Sequence, residues 1–488
     1  MSVFSDELRS YIEHTGIKIQ TLSKQTAIER TLLHKFISDE RTPDDDMLNR
    51  IILSLMLTPS QSSRLRKMLM IKRMGPQVYS RNMHVKALFE KFGALNYGRN
   101  NISMRFSHSI DGLPDSATVY GNYEIQSVLK ALVEIEASNS SGRIRIIAQP
   151  EFSFLIDILA AIGPNKPLLT VEHIICMQCA ISQKDDGSYN IGCLSAMVPL
   201  LVSDFMYKPF VYYDNAQAHI NQTSILPYMI ITEDGVLNIS YDMKYGTFFR
   251  SADFITLYSA IYNDIYNKSV SMFNRLGSAS EYLEFYQNPS AYSSNCTIFC
   301  EPCLAFFITE DILTKYIYEA LPDKHVILSM YSKLIDQRFK QLIEKNKYIL
   351  SCFTEEGLDD FITYGRITDI PSDYYSPIEK EDCYKMLTKM HELTLSGLYQ
   401  PIIINTNKFR LPRNLVLTAS TNGEAASLTY IHPQYGPIVF DFTEQSLILA
   451  FSNFIEYLKA SDMVLSREET LRVIEDKLIK LDNLIKCN

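Results

Sequence analysis

Apolar residues recur at helical spacing through the first 75 positions, in five short runs divided by polar breaks. Leu8, Tyr11 and Ile12 share a face of the first run, which Ser5 is placed to cap and Gly16 to end. The second run, Ile19 to Thr26, turns Leu22 inward. A tight turn at Ala27-Ile28 leads to a third, Glu29 to Ser38, with Leu32 or Leu33, Phe36 and Ile37 facing the core. The polar loop Ser38-Asp39-Glu40-Arg41-Thr42-Pro43 breaks the pattern. Asp44 to Leu57 predicts a fourth helix on Met47, Leu48, Ile51, Ile52 and Leu55. Thr58-Pro59, a cap followed by proline at the first helical position, opens a fifth.

Beyond Gly75-Pro76 the pattern changes. A helix over Val78 to Phe92 leads to alternating strand-like and helical runs. Ala117–Tyr120, Arg143–Ala148 and Leu168–Cys176 read as strands; Ile125–Glu136 and Phe152–Ile162 read as helices. Such alternation predicts an α/β fold with a partly parallel sheet.

The body also resembles itself. Ile147-Ala148-Gln149-Pro150-Glu151-Phe152 matches Phe299-Cys300-Glu301-Pro302-Cys303-Leu304, and both continue to Asp-Ile-Leu, at Asp157 and Asp311. Leu226-Pro227, Ile230-Ile231-Thr232 and Tyr245-Gly246 recur in order as Leu411-Pro412, Val416-Leu417-Thr418 and Tyr435-Gly436. The expected class is α + α/β. A five-helix head (1–75) and a linker helix (76–105) precede two homologous α/β halves (106–280 and 281–461) and a C-terminal helix (462–488). Ser466 and Glu469 form a capping box for that last helix. Its stripe of Leu471, Ile474, Leu478, Leu481 and Ile485 fits either a homodimer seam or docking on the body.

Charge separates head from body. Residues 1–100 hold 16 basic and 10 acidic residues, whereas the whole chain holds 47 and 56. A basic head on an acidic body is the asymmetry expected when only the head meets phosphate. No run of 18 apolar residues occurs, and the N-terminal residues lack the basic-then-apolar pattern of a secretory signal. The expectation is a cytoplasmic protein with no membrane partner. Nine scattered cysteines fit free thiols in a reducing compartment.

The segment from Ile19 through Leu22, Ser23, Ala27, Arg30, Leu33 and Phe36, with the Asp39–Pro43 loop after it, resembles the XRE-type, phage-repressor-like helix-turn-helix family. It departs at Ser23, where that family usually has alanine, and at Ala27, where glycine is common. The resemblance implies a bacterial, sequence-specific transcription regulator that binds double-stranded DNA. In such a unit the second crossing helix enters the major groove N-terminal end first. Lys18, Arg30, Thr31, His34 and Lys35 are then positioned for base edges, and Gln20 and Arg41 for phosphates.

Other constellations point less far. Cys296, Cys300 and Cys303 have C-x3-C-x2-C spacing, and His173 precedes the Cys176-x2-Cys179 pair. In the repeat, however, Cys296 aligns with Ile144, Cys300 with Ala148 and Cys303 with Glu151, so the same fold element exists without thiols. No metal is therefore expected. No Walker loop, dinucleotide fingerprint, H-E-x-x-H or G-x-S-x-G motif occurs, so no cofactor and no catalytic residue are implied. Two related halves can share a cleft, and Gln149, Glu301, Tyr245 and Tyr435 are the repeated polar or aromatic positions that would line an effector site there. The alternative is a small-molecule enzyme with the head as a localising or autoregulatory module.

Overall fold

The five apolar runs of the head become five helices: α1 (Val3–Thr15), α2 (Ile19–Thr26), α3 (Arg30–Ile37), α4 (Asp45–Ser54) and α5 (Pro59–Met74). Their apolar faces meet in one core that includes Phe4, Leu8, Leu22, Leu33, Phe36, Leu48, Ile51 and Leu65. The computed structural model describes residues 2–97, 115–161, 168–179, 187–214, 225–276, 278–287, 295–344, 348–368, 370 and 372–487. The chain divides into two compact units, Met1–Met83 and His84–Asn488. Helix α6 (Pro76–Tyr97) runs through that division.

One cap differs from expectation. Ser2, not Ser5, caps α1, accepting from the Ser5 N–H at 3.4 Å. The helix begins earlier because Phe4 is fully buried and needs a helical position to reach the core. The Thr58 capping box opens α5 as expected, with Gln61 completing it.

The second unit is the α/β body. Its first sheet is built from β1 (Ser116–Tyr120), β2 (Arg143–Ile147), β3 (Thr170–Gln178), β4 (Met206–Asp214), β5 (Tyr228–Ile231), β6 (Val236–Ile239), β7 (Tyr245–Phe249) and β8 (Val270–Ser271). They lie in the order β1-β7-β6-β5-β2-β3-β4-β8. The second sheet is built from β9 (Asn274–Arg275), β10 (Cys296–Ile298), β11 (Ile349–Thr354), β12 (Tyr399–Ile404), β13 (Leu415–Ala419), β14 (Ala426–His432) and β15 (Gly436–Phe442). Its order is β12-β11-β10-β13-β14-β15-β9.

Read outward from β2 and from β10, the two sheets share one topology apart from β8, which pairs with β4 in the first. β2, β3 and β4 are parallel, as are β10, β11 and β12. The next three strands run antiparallel in both. A further strand closes the far edge, β1 on β7 and β9 on β15. The passage between sheets falls at residues 272–273, before the expected boundary at 280, because β9 belongs to the second sheet. The expected start of the first half, residue 106, lies outside the described residues.

Helices α7 (Gly121–Ser138), α8 (Ser153–Ala160), α9 (Ser188–Leu201) and α10 (Ala252–Tyr266) accompany the first sheet. The second carries α11 (Ala279–Tyr286), α12 (Glu310–Tyr316), α13 (Lys324–Glu344), α14 (Glu355–Tyr364), α15 (Lys380–Leu395) and α16 (Gln445–Lys459). The last helix, α17 (Arg467–Cys487), lays Ile474 and Leu481 into the core of the second half, with Leu478 and Ile485 packed against it. Part of its stripe is thereby used within the chain.

Candidate nucleic-acid interface

Helices α2 and α3 are joined by a three-residue turn. Ala27 takes the left-handed conformation there (φ 51°, ψ 34°), and Glu29 follows as the residue before α3. The Ser23 hydroxyl donates to the Ile28 carbonyl at 2.6 Å, so the serine at this crossing secures the turn. Arg50 donates to the Thr26 carbonyl at 2.8 Å and ties the end of α2 to α4. Leu33 and Phe36 anchor α3 in the core. That burial turns Arg30, Thr31, His34 and Lys35 outward, where all four are exposed.

Lys18 is the residue before α2, Gln20 lies in its first turn and Arg41 in the loop after α3; these three are exposed as well. Lys24, one turn beyond Gln20 on α2, is a further exposed cation that the family pattern does not single out. Its i, i+4 relation to Gln20 is the signal that finds it.

The distribution of ion pairs separates these cations from the rest of the head. Between Met47 and Phe89 the chain has eight basic residues and no acidic one. Most of that charge is engaged internally. Arg64 pairs with Glu7 at 2.8 Å, Arg73 with Asp45 at 2.8 Å, Arg50 with Asp46 at 2.9 Å and Lys72 with Asp39 at 2.5 Å. Arg66 donates to Asn49 at 2.6 Å. The basic run on α5 is thus mainly a set of struts. Among the described residues, Lys18, Lys24, Arg30, Lys35 and Arg41 form no ion pair. The acids beside them are Glu29, which accepts from Thr31 at 3.4 Å, and Glu40, which accepts from Ser38 at 2.8 Å.

Asp39 organises the loop after α3. It accepts from the Ser2 N–H and hydroxyl at 2.6 and 2.5 Å and from the Ser5 hydroxyl at 2.7 Å. Hydrogen bonds from Lys72 and the two serines hold its carboxyl well below the usual carboxylate range. Lys72 also donates to the Arg41 carbonyl at 3.3 Å, and Arg73 to the Pro43 carbonyl at 2.6 Å. The backbone that carries Arg41 is therefore fixed while its side chain stays exposed.

The four positions proposed for an effector cleft have separate partners. The Gln149 amide, oriented to satisfy both groups, bridges the Cys176 carbonyl at 3.1 Å and N–H at 3.2 Å. Glu301 accepts from the Thr368 N–H at 3.0 Å and from its hydroxyl. Tyr245 is exposed and packs edge-on to Tyr120 at 6.3 Å. The Tyr435 hydroxyl donates to the Asp204 carbonyl, and Arg275 lies 4.5 Å from its ring centroid. Tyr435 thus links the two halves.

Of the cysteines in these spacings, Cys176, Cys296 and Cys300 are buried, and Cys179 and Cys303 are half-buried. Cys296 is buried beside Cys352, and burial raises its thiol well above the ordinary range. Cys300 donates to the Arg413 carbonyl at 3.4 Å. Burial pushes Cys176 up to about 11. His173 lies between the Ala148 carbonyl at 2.9 Å and the Tyr207 hydroxyl at 3.0 Å. Among the described residues, no three metal-ligating side chains converge. No described helix is long and apolar enough to cross a membrane.

No family model matches the chain. No curated protein matches it either. Among solved structures it is similar to TrmBL2, described as an archaeal chromatin protein with a novel mode of DNA binding. Identity is 9% and the TM-score 0.20, over 55% of this chain and 99% of that one. It is also similar to phosphatidylserine synthase of Haemophilus influenzae Rd KW20, at 12% identity and a TM-score of 0.22, over 76% of this chain and 95% of that one. At such TM-scores neither likeness bears on function.

Proposed function

We propose that the chain is a DNA-binding transcription regulator of the XRE type, whose head reads double-stranded DNA through α3. One observation carries this reading. The cations of α5 are mostly engaged inside the head, while Lys18, Lys24, Arg30, Lys35 and Arg41 stand exposed without a carboxylate partner. Exposed charge of one sign that is left unneutralised favours a polyanion, because each phosphate it meets releases condensed counterions. Arg30, Thr31, His34 and Lys35 fall on the outward face of the second crossing helix, the element that enters the major groove in this motif.

In this reading the duplicated body senses an effector or mediates assembly in the cytoplasm. A regulator reading a palindrome binds as a dimer. Binding of the full chain to fragments of its own promoter, measured across a salt series, tests the proposal. The logarithm of affinity should fall linearly with that of salt, by about 0.9 for each phosphate contacted. Failure to bind duplex DNA at low salt, or affinity independent of salt, would overturn it.

A further inference from the structure

The two halves share strand order but not the segment after their first central strand. Among the described residues, 148–169, which connect β2 to β3 in the first half, carry α8, and 299–348, which connect β10 to β11 in the second, carry α12 and α13. Under this longer segment lies a cavity of about 140 Å³. Its walls include Ile312 and the rings of Tyr316, Tyr331 and Tyr375. Its floor is the sheet itself, at Thr297 and Thr418, which sit opposite each other on β10 and β13.

The chemistry of the lining is selective. No aspartate, glutamate, lysine or arginine contributes to it. Three of the four lining tyrosines offer rings rather than hydroxyls. Tyr316 donates to Asp382 at 2.7 Å, Tyr331 to the Ala305 carbonyl, and Tyr375 to the Ile367 carbonyl at 3.2 Å. The hydroxyls of Thr297 and Thr418 make no hydrogen bond among the described residues, and both remain partly accessible although they lie on central strands. An apolar void of roughly 150 Å³ accepts benzene, so the space suits one small ring. An ionised ligand would be desolvated here without a counter-charge.

We propose that this cavity binds one uncharged, largely apolar molecule of about phenol size, whose single polar group meets Thr297 and Thr418. The site stands apart from the DNA-binding reading, because its test needs no DNA. Phenol, toluene and benzoate are titrated into the full chain by calorimetry, with thermal melting in parallel. Phenol at about 100 times its dissociation constant should raise the melting temperature by roughly 3 °C. It should bind about tenfold more tightly than toluene, and benzoate should not bind. Thr297→Val with Thr418→Val should erase the preference for phenol while leaving toluene binding in place. Ala305→Leu or Ile312→Phe, which fill the space, should abolish binding of both. The proposal falls if no probe binds at millimolar concentration, if phenol binds both filled variants as tightly as the parent, or if the double valine variant keeps the preference.

Discussion

The Lys72 ammonium lies 2.5 Å from an Asp39 carboxylate oxygen, joining α5 to the loop that follows α3. Asp39 holds a left-handed backbone (φ 72°) and collects the Ser2 and Ser5 hydroxyls as well. One carboxylate therefore ties both ends of the head to the backbone beside Arg41.

Asp39 should make the head sensitive to acid. Its carboxyl is held below the usual range in the folded state, so the folded chain binds fewer protons than the unfolded chain at low pH. The stability it contributes is complete above about pH 4 and is lost as pH falls through the folded-state value. Asp39→Asn keeps the side-chain shape and tolerates the left-handed backbone, but gives up the charge. It should destabilise the head by about 1–3 kcal/mol at neutral pH. Faster hydrogen exchange of α1 and α5 amides in the variant, with a shallower dependence between pH 5 and 3, is the expected result.

Arg30 and Arg41 should separate by the kind of defect they cause. Arg30 opens α3, and Arg41 stands in the loop behind it. Under the proposed docking, Arg30→Ala should cost about 1–3 kcal/mol on the preferred site and little on unrelated DNA. Arg41→Ala should weaken binding nearly equally on all sequences and reduce the salt slope by about 1. Glu29→Gln, which removes an acid from the same helix start, should strengthen binding. Gel-shift series with specific and scrambled duplexes check all three, and equal losses on both duplexes for Arg30→Ala would refute its role in base recognition.

The turn between α2 and α3 carries an avoidable strain. Ala27 occupies the left-handed region at φ 51°, where an L side chain crowds the backbone and glycine does not. Ala27→Gly should therefore stabilise the head, by up to about 1 kcal/mol after the added freedom of the unfolded chain is discounted. Slower exchange of α2 and α3 amides would show it; faster exchange would mean that the methyl contributes packing that outweighs the strain.

What could be read from the sequence follows from the range of the interactions involved. The span of α2 was legible to the residue because Leu22 and the turn after Thr26 are local signals. The pairing of Ser2 and Ser5 with Asp39 was not, since it joins positions more than 30 residues apart. The duplicated sheet was legible because Gln149-Pro150 and Glu301-Pro302 retain the same turn. The use of those residues was not, because Gln149 spends its amide on Cys176 and Glu301 its carboxylate on Thr368. Likewise, exposure of Arg30 follows from burial of Leu33 and Phe36 in the same helix, whereas neutralisation of Arg64 and Arg73 depends on acids in distant helices. The cavity above Thr297 escaped notice because Thr297 and Thr418 lie on strands that only the tertiary fold brings side by side.

His173 should impose a second acid dependence, this one on the first half of the body. A carbonyl can only accept, so Nε2 donates to Ala148 and Nδ1 accepts the Tyr207 hydroxyl proton, which fixes a neutral ring. Burial lowers its pKa to about 4. The unfolded imidazole takes up a proton near pH 6.5 while the folded one does not, so stability falls as pH drops from about 6.5 towards 4. Between pH 7.5 and 5 the expected loss is about 2 kcal/mol, read from urea midpoints of the body transition. His173→Gln keeps a donor for the Ala148 carbonyl and removes the titrating group. That variant should start less stable at pH 7.5 and lose little more at pH 5. An unchanged difference between the two pH values would assign the acid sensitivity to another group.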